Sequence, residues 1–247
     1  MAFTVFSDKH LFFDLDRTLW DFDRNSETTI RQILKNENIE TQVNGFEAFH
    51  AIYVKKNAYL WRKYGKGEIT KENLRYERFK VSLEHFFKPE NDLVKRIGDA
   101  YVELSPQQIQ LLPNTKEILT ELKDLGFKMH IITNGFSEVQ HIKIANCGLR
   151  DYFQEIICSE AIGKNKPDPE IFQFALKLAK ASAENSIMIG DDYYADISGA
   201  NQIGMQAILF KNDNAANYSY ENTIYFYVDS FYGDCIFYLC ITRIISI

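Results

Sequence analysis

Cysteine is scarce in this sequence of 247 residues, and none of its four cysteines belongs to a C-x-x-C pair. The cysteines and histidines also form no cluster with the spacing of zinc ligands. These absences argue against disulfides and against a structural zinc site. We therefore expect reduced thiols that pack in the interior, at Cys147, Cys158, Cys235 and Cys240.

A surplus of basic residues is missing as well, because 28 Lys and Arg residues stand against 34 Asp and Glu residues and give a net charge of −6. Nucleic acids and anionic membranes bind a basic face that displaces counterions, so neither a nucleic-acid polymer nor a membrane is an expected partner. The first residues also lack the basic region and long apolar stretch of a secretion signal. The sequence thus predicts a cytoplasmic protein.

The pattern of apolar residues changes near residue 110. Before it, apolar positions recur at helical spacing in four stretches, residues 25–38, 46–64, 70–87 and 91–104. After it, short apolar strands alternate with predicted helices. The strands cover residues 127–132, 155–158, 186–189 and 206–209, and the helices 114–126, 137–146, 169–180 and 192–203. This alternation predicts an α/β fold with a Rossmann-like, doubly wound parallel sheet, into which a four-helix bundle is inserted.

Local signals support several of these helix limits. Asn114, with Glu117 three residues later, is typical of a helix start, and Gly126 of a helix end. Asp168 is the expected cap of the helix that has Pro169 in its first turn. The last predicted strand, at residues 223–229, is followed by an apolar stretch for which we expect a buried tail or an association surface, because it is too interrupted to span a membrane.

The sequence DLDRT at residues 14–18 follows the short apolar run at residues 11–13. Residues two apart on a strand point the same way, so Asp14 and Asp16 would project together from the carboxyl end of this strand. Two carboxylates this close stay ionised only if a cation or a shared proton intervenes, which indicates metal-assisted chemistry. Taken alone, the five residues fit an acidic loop or turn equally well.

Three more polar groups fall at the ends of predicted strands, where ligands bind in parallel α/β sheets. They are Thr133-Asn134-Gly135, Lys166 ahead of Pro167-Asp168-Pro169, and Gly190-Asp191-Asp192 with Asp196. Each has an ordinary structural explanation: a threonine that caps a helix, a solvated lysine, or an acid on a helix surface. Their shared position at strand ends predicts instead that they line one site.

In this order, the four motifs resemble those of the haloacid dehalogenase superfamily of phosphotransferases, over residues 11–210. The helical insert between the first and second motif is similar to the helical cap of one subclass of that family. The resemblance implies a core domain of residues 1–20 and 108–247 and a helical cap domain, the lid of the site, of residues 21–107.

The resemblance also implies roles for the acidic residues. Asp14 would be the nucleophile that takes up the phosphoryl group, and Asp16 the acid and base that moves protons. Mg²⁺ would be bound by the side chains of Asp14 and Asp191 and by the backbone carbonyl of Asp16, all of them hard oxygen ligands. No other cofactor is expected.

The remaining site residues would support this chemistry. Thr133 and the backbone near Asn134 would bind the phosphoryl oxygens, and Lys166 would offset their negative charge. Asp192 and Asp196 would hold water molecules and Lys166 outside the set of metal ligands. The spacing leaves open which of Asp191 and Asp192 binds the metal directly.

An acid at position 16 favours cleavage of a phosphate ester, since the dehalogenases of the family need no acid for a leaving alkoxide and their second acidic position is typically replaced. The segment at residues 20–25, WDFDRN, is similar to the pyrimidine-nucleotide 5′-nucleotidase branch, so the expected substrate is a small phosphorylated metabolite, a nucleoside 5′-monophosphate. Trp20, Phe22, Tyr59 and Trp61 would stack on a base or else form the core of the cap.

Several other functions remain open at this stage. The alternatives are a sugar-phosphate phosphatase, a phosphomutase that shares the first chemical step, a haloacid dehalogenase, and a binding protein without catalytic activity. A response-regulator receiver uses similar residues but is about half this length and lacks the long insert. The sequence does not determine the oligomeric state.

Overall fold

The computed structural model describes residues 8–210. The predicted strand at residues 223–229, the apolar stretch after it and two of the cysteines lie outside the described residues. The other two cysteines, Cys147 and Cys158, are buried free thiols as predicted. None of the helices in the described part of the chain combines the length and the apolar character that a membrane-spanning segment needs.

Five parallel strands form the sheet, in the order β3-β2-β1-β4-β5. Their bounds are β1 His10–Phe13, β2 Lys128–Thr133, β3 Phe153–Cys158, β4 Ser186–Gly190 and β5 Gln206–Leu209. Every residue of β1 and β4 is buried, which is typical of central strands that have both faces covered. This sheet confirms the predicted α/β, Rossmann-like fold class.

The order of the strands determines where a site can form. The chain leaves β1 toward β2 and β3 on one side and toward β4 and β5 on the other, so the strand order reverses at β1. In register, Phe13 at the end of β1 pairs with Ile131 of β2 and Ile189 of β4. Ligands of open parallel sheets bind beyond the strand ends at such a reversal. Asp14, the next residue after β1, therefore lies at this reversal.

The chain divides into two compact units, with boundaries after Asp21 and after Ile109. The inserted unit contains four helices, α1 Phe22–Asn36, α2 Phe46–Gly65, α3 Lys71–Leu83 and α4 Asn91–Leu104. Its buried core includes the packed aromatic rings of Phe49, Tyr53, Phe79 and Tyr101.

One helix of this unit is shorter than predicted. The predicted helix at residues 70–87 ends at Leu83, because residues 84–87 turn back through hydrogen bonds from Phe86 and Phe87 to the Leu83 carbonyl. Pro89 follows this turn, and the residue before a proline disfavours helical backbone.

The sheet-containing unit carries α5 Thr115–Asp124, α6 Ser137–Asn146, α7 Pro169–Ala179 and α8 Gly199–Gln202. Asp168 caps α7 as predicted, by accepting a hydrogen bond from the backbone of Glu170. The predicted helix start at Asn114 is confirmed, because α5 begins at the next residue. The side chain of Asn114 makes no capping hydrogen bond, and its backbone is left-handed, with φ 60°. Asparagine is one of the few residues that tolerate this conformation.

The predicted helix at residues 192–203 also differs from the structure. A π-helix at Tyr193–Ser198 comes first, and only the four residues of α8 are α-helical. The wider turn of a π-helix changes the direction of each side chain, and such turns are frequent at functional sites. Here the π-helix carries Asp196 into the interior, where its side chain is 1% exposed.

Candidate active site

Three carboxylates meet beyond the ends of β1 and β4. Asp14, Asp191 and Asp196 each place one oxygen within 4.8 Å of the others. Asp14 follows β1 directly, and its backbone N–H donates to the Ile189 carbonyl of β4 at 2.8 Å. Continuation of the sheet hydrogen bonds therefore fixes Asp14 beside the loop that carries Asp191. We call these three residues the carboxylate cluster.

Lys166 is the cation that contacts this cluster. Its Nζ lies 2.7 Å from an oxygen of Asp14 and 2.6 Å from an oxygen of Asp196, and it also donates to the Ile132 carbonyl at 2.8 Å. The side chain is only 2% exposed. Arg17 also acts electrostatically on Asp191, but the three carboxylates still outnumber these two cations.

The pKa values of the cluster reflect this imbalance. Burial raises the pKa of Asp14 and raises the pKa of Asp191 well above its usual value, and neighbouring carboxylates add to both effects. Burial likewise raises the pKa of Asp196 to about 7, although Lys166 acts against it. Burial also opposes the charge of Lys166, but Asp14 and Asp196 overcome it and raise its pKa. A divalent cation would offset the surplus of negative charge, and carboxylate oxygens are the ligands that Mg²⁺ prefers.

The structure separates the roles of the two consecutive acids. Asp191 belongs to the carboxylate cluster, whereas the side chain of Asp192 is exposed and accepts a hydrogen bond from the backbone of Ala195 at 2.9 Å. The backbone N–H of Asp192 donates to Asp196 at 3.1 Å. Of the two, Asp191 has the geometry of a metal ligand.

Gly190 lets Asp196 approach the ends of the strands. A Cβ atom at this position would lie 2.1 Å from Oδ2 of Asp196, a distance that no side chain can occupy. The glycine of the Gly-Asp-Asp motif is therefore required by the packing of Asp196, the third acid of that motif.

Thr133, the last residue of β2, is 1% exposed. Its hydroxyl oxygen accepts hydrogen bonds from the Gly135 backbone at 3.1 Å and from the Gln140 side chain at 2.7 Å. Asn134 points elsewhere: its side chain accepts from the backbone N–H of Lys166 at 2.8 Å and donates to the Lys166 carbonyl at 3.0 Å. The Asn134 amide group therefore holds the loop that carries Lys166. Only the backbone of Asn134, and not its side chain, is left to bind an anion.

Asp16 lies apart from the carboxylate cluster and has its own partners. Its Oδ1 accepts from Nζ of Lys143 at 2.6 Å, and its Oδ2 accepts from Nε2 of Gln140 at 2.9 Å. Both partners lie on α6, three residues apart, and both are buried. The sequence analysis missed them. The available signal was their spacing, because residues three apart lie on one face of a helix, and α6 begins just after Thr133-Asn134-Gly135.

One predicted substrate contact is wrong. Trp20 is fully buried, and Nζ of Lys143 lies 3.9 Å from the centroid of its ring. The face of this ring is thus covered by a lysine and is not available to stack on a base.

Comparison with known proteins identifies the family. The sequence profile of the haloacid dehalogenase-like hydrolases matches residues 9–204. The chain belongs to this family. As a member of it, the chain is a hydrolase, and the motifs that line the site are those on which the resemblance was based.

Two relatives of known activity align over most of their length. The pyrimidine 5′-nucleotidase PynA of Streptococcus pneumoniae is 31% identical over 218 residues, which cover 88% of this chain and 90% of the relative. A ribulose-1,5-bisphosphate 5-phosphatase of Halopiger xanaduensis is 32% identical over 199 residues, which cover 80% and 82%. Among solved structures, the magnesium-bound HAD-hydrolase YfnB of Bacillus subtilis has the same fold, with a TM-score of 0.82, 24% identity and coverage of 97% and 99%.

Proposed function

We propose that this chain is a magnesium-dependent phosphatase that hydrolyses a small phosphate monoester, a nucleoside 5′-monophosphate, through a phosphoryl group held on Asp14. One observation carries the proposal. Asp14 is the first residue beyond the central strand, it is held by a buried ammonium, and it belongs to a cluster in which carboxylates outnumber cations. A nucleophilic carboxylate that must approach a phosphate dianion needs this concentration of positive charge around it.

Magnesium fits the residues that are present. Its ligands would be the side chains of Asp14 and Asp191 and the backbone carbonyl of Asp16, which are hard oxygen donors beside an unbalanced negative charge. When bound, the ion would offset the charge that the nucleophile and the phosphoryl group share.

Asp14 would act first, by forming a bond from its carboxylate oxygen to phosphorus while the bond from phosphorus to the ester oxygen breaks. Asp16 would donate a proton to that departing oxygen. Asp16 would then remove a proton from the water that attacks phosphorus, which frees Asp14 and releases inorganic phosphate. Thr133, the backbone near Asn134 and the ammonium of Lys166 would bind the phosphoryl oxygens through both steps.

The nucleotide substrate is supported by the relative PynA and by the resemblance of residues 20–25 to the pyrimidine 5′-nucleotidase branch. A sugar phosphate is the second candidate, because a relative of equal similarity acts on ribulose 1,5-bisphosphate. The buried ring of Trp20 takes no part in choosing between them.

A substrate panel tests this proposal. The purified chain would be assayed for phosphate release from nucleoside monophosphates, sugar phosphates and p-nitrophenyl phosphate, with Mg²⁺ and with EDTA. We expect release that requires Mg²⁺ and that has a kcat/KM at least tenfold higher for a pyrimidine nucleoside monophosphate than for a sugar phosphate.

The other outcomes each point to a different function. Equal rates on both classes would end the nucleotidase assignment, and an isomeric phosphate ester formed without phosphate release would indicate a phosphomutase. No turnover of any ester in Mg²⁺ would contradict phosphatase activity altogether.

A further inference from the structure

Asp16 of the DLDRT motif is restrained from one helix, because each of its two oxygens has its own donor on α6. Lys143 donates to one oxygen at 2.6 Å and Gln140 to the other at 2.9 Å. A carboxylate that is held at both oxygens by different side chains has little freedom to rotate. The two donors come from a helix that contributes no residue to the carboxylate cluster.

Lys143 is an unusual residue for this position. Its side chain is 4% exposed, and burial of an ammonium costs several kcal/mol unless a close opposite charge compensates. Asp16 provides that charge on one side, and the face of the Trp20 ring, 3.9 Å away, covers the ammonium on another. The arrangement gives each acid of the motif a separate buried lysine: Lys166 for Asp14 and Lys143 for Asp16.

Gln140 links two parts of the site. Its Nε2 donates both to Asp16 and to the hydroxyl oxygen of Thr133, at 2.9 and 2.7 Å. Its own carbonyl oxygen, Oε1, is buried and has no hydrogen-bond partner among the described residues. A buried acceptor without a partner is unfavourable, so the two acceptors of Nε2 determine the orientation of this amide.

Gly135 makes room for this link. A Cβ atom at position 135 would lie 2.3 Å from Nε2 of Gln140. The absence of a side chain at the third residue of the Thr-Asn-Gly motif is therefore what allows the Gln140 amide to reach Thr133 and Asp16.

From these contacts we propose that Gln140 and Lys143 are positioning residues that fix the orientation of the Asp16 carboxyl group toward the ester oxygen. The proposal rests on the phosphatase function proposed above, and it extends that function to two residues outside the four motifs. Misplacement of a reacting group by about 1 Å costs roughly 100-fold in rate, so loss of either contact should be visible in kcat.

The test compares Lys143→Met with Lys143→Arg, Gln140→Leu and the matched control Lys123→Met. Lys123 is an exposed lysine of the same unit that also lies over an aromatic ring, that of Tyr152, but it is remote from the motifs in sequence and contacts only the Asp151 carbonyl and this ring. Each variant would be assayed with a nucleoside monophosphate and with p-nitrophenyl phosphate. Thermal unfolding of each would be measured in parallel.

We expect Lys143→Met to lower kcat for the nucleotide about 10- to 100-fold, with a change in KM below about threefold. The loss in kcat/KM on p-nitrophenyl phosphate should be at least fivefold smaller than the loss in kcat/KM on the nucleotide. This ratio reports only the transfer of the phosphoryl group to Asp14, and nitrophenolate leaves in that step without a proton. Lys143→Arg should recover part of the rate. Gln140→Leu should show the same dependence on the ester. This second variant tests the proposal even if Lys143→Met does not fold. Lys123→Met should match the unmodified chain.

Equal losses in kcat/KM on both esters, or rates within twofold of the unmodified chain, would overturn the positioning role. An unmodified chain without activity on any ester would instead remove the phosphatase function. The two failures are thus distinguishable in one set of assays.

Discussion

A buried group of titratable side chains lies beyond the carboxyl ends of strands β1 and β2, and a second group lies nearer their amino ends. The two groups differ in charge. At the carboxyl end, Lys166 is ionised between Asp14 and Asp196. Nearer the amino end, His10 and His130 face each other with 2.9 Å between Nδ1 and Nε2, and the Phe12 ring stacks on His130. Burial lowers the pKa of His10, and it lowers the pKa of His130 to about 3, so this pair is neutral.

The comparison shows that burial alone does not decide ionisation. Lys166 and His130 are both almost completely buried, yet burial is overcome only at Lys166. The difference lies in the neighbours, because Lys166 contacts two carboxylates, whereas His130 faces a second imidazole and the nearby charge of Lys128. Of these two buried groups, the charged one is therefore the group at the end of the sheet where the proposed chemistry takes place.

The largest effect is expected at the nucleophile. Asp14→Asn keeps the shape of the side chain but removes the attacking oxygen's charge, so phosphatase activity should fall by about 1,000-fold or more. Phosphate release in saturating Mg²⁺ measures this. The matched control is His10→Asn at the other end of β1, which should retain activity within about threefold. Substantial activity in Asp14→Asn would show that Asp14 is not the nucleophile.

The second effect concerns the charge balance at the carboxyl end. Lys166→Met leaves buried carboxylates without their ammonium, which should lower the free energy of unfolding in EDTA by about 3–5 kcal/mol. Lys164→Met is the control, because Lys164 makes its ion pairs with Asp168 and Glu170 at the surface, where such pairs contribute little to stability. Urea unfolding compares the two. Equal losses would show that the buried lysine does not balance the cluster.

The third effect belongs to the histidine pair. The folded pKa of His130 lies below its unfolded value of about 6.5, so the unfolded chain binds more protons below pH 6.5 and stability is lost as the pH falls. One such group contributes at most about 1.4 kcal/mol per pH unit, and about 2.3 kcal/mol between pH 6.5 and 4.5, because the unfolded histidine is half protonated at pH 6.5.

Urea unfolding of the unmodified chain and of the His10→Leu/His130→Phe double variant isolates this contribution, since both share the acidic cluster. As the pH falls from 6.5 to 4.5, the free energy of unfolding of the double variant should rise relative to that of the unmodified chain. The rise should be at least the contribution calculated for His130. A difference that does not change with pH would mean that the histidines are not neutral in the fold.

The smallest effect is metal binding at equilibrium. Mg²⁺ at ten times its Kd should stabilise the unmodified chain by about 1.4 kcal/mol, if only the folded chain binds it. Asp191→Asn should remove this gain and Asp192→Asn should keep it, because only Asp191 lies in the carboxylate cluster. Thermal unfolding with and without Mg²⁺ makes the comparison. If Asp192→Asn removed the stabilisation by Mg²⁺ and Asp191→Asn kept it, Asp192 would be the metal ligand instead of Asp191.

Much of this arrangement could be predicted from the sequence. Parallel strands bring their carboxyl ends to one edge, so the short strands before Asp14, Thr133 and Asp191 were enough to predict one shared site. Short apolar runs also predicted the sheet, and the strands β1 and β4 that contain them are buried at every position.

The remainder depends on contacts that no local pattern encodes. Gln140 and Lys143 lie on a helix of weak amphipathic character, and only the folded chain shows that they face Asp16. The π-helix that carries Asp196 inward has no sequence signal that separates it from an α-helix. The covered ring of Trp20 could not be foreseen, because a cation over an aromatic ring is a tertiary contact.

The central claim is that the Asp14 carboxylate receives the phosphoryl group. Rapid mixing of the chain with a nucleoside monophosphate and Mg²⁺, followed by an acid quench and mass spectrometry of the peptides, tests it most directly. The account predicts a phosphoryl group on the peptide that contains Asp14, formed and lost during one turnover and absent in Asp14→Asn. A phosphoryl group on another residue, or turnover in which no peptide is ever phosphorylated, would contradict it.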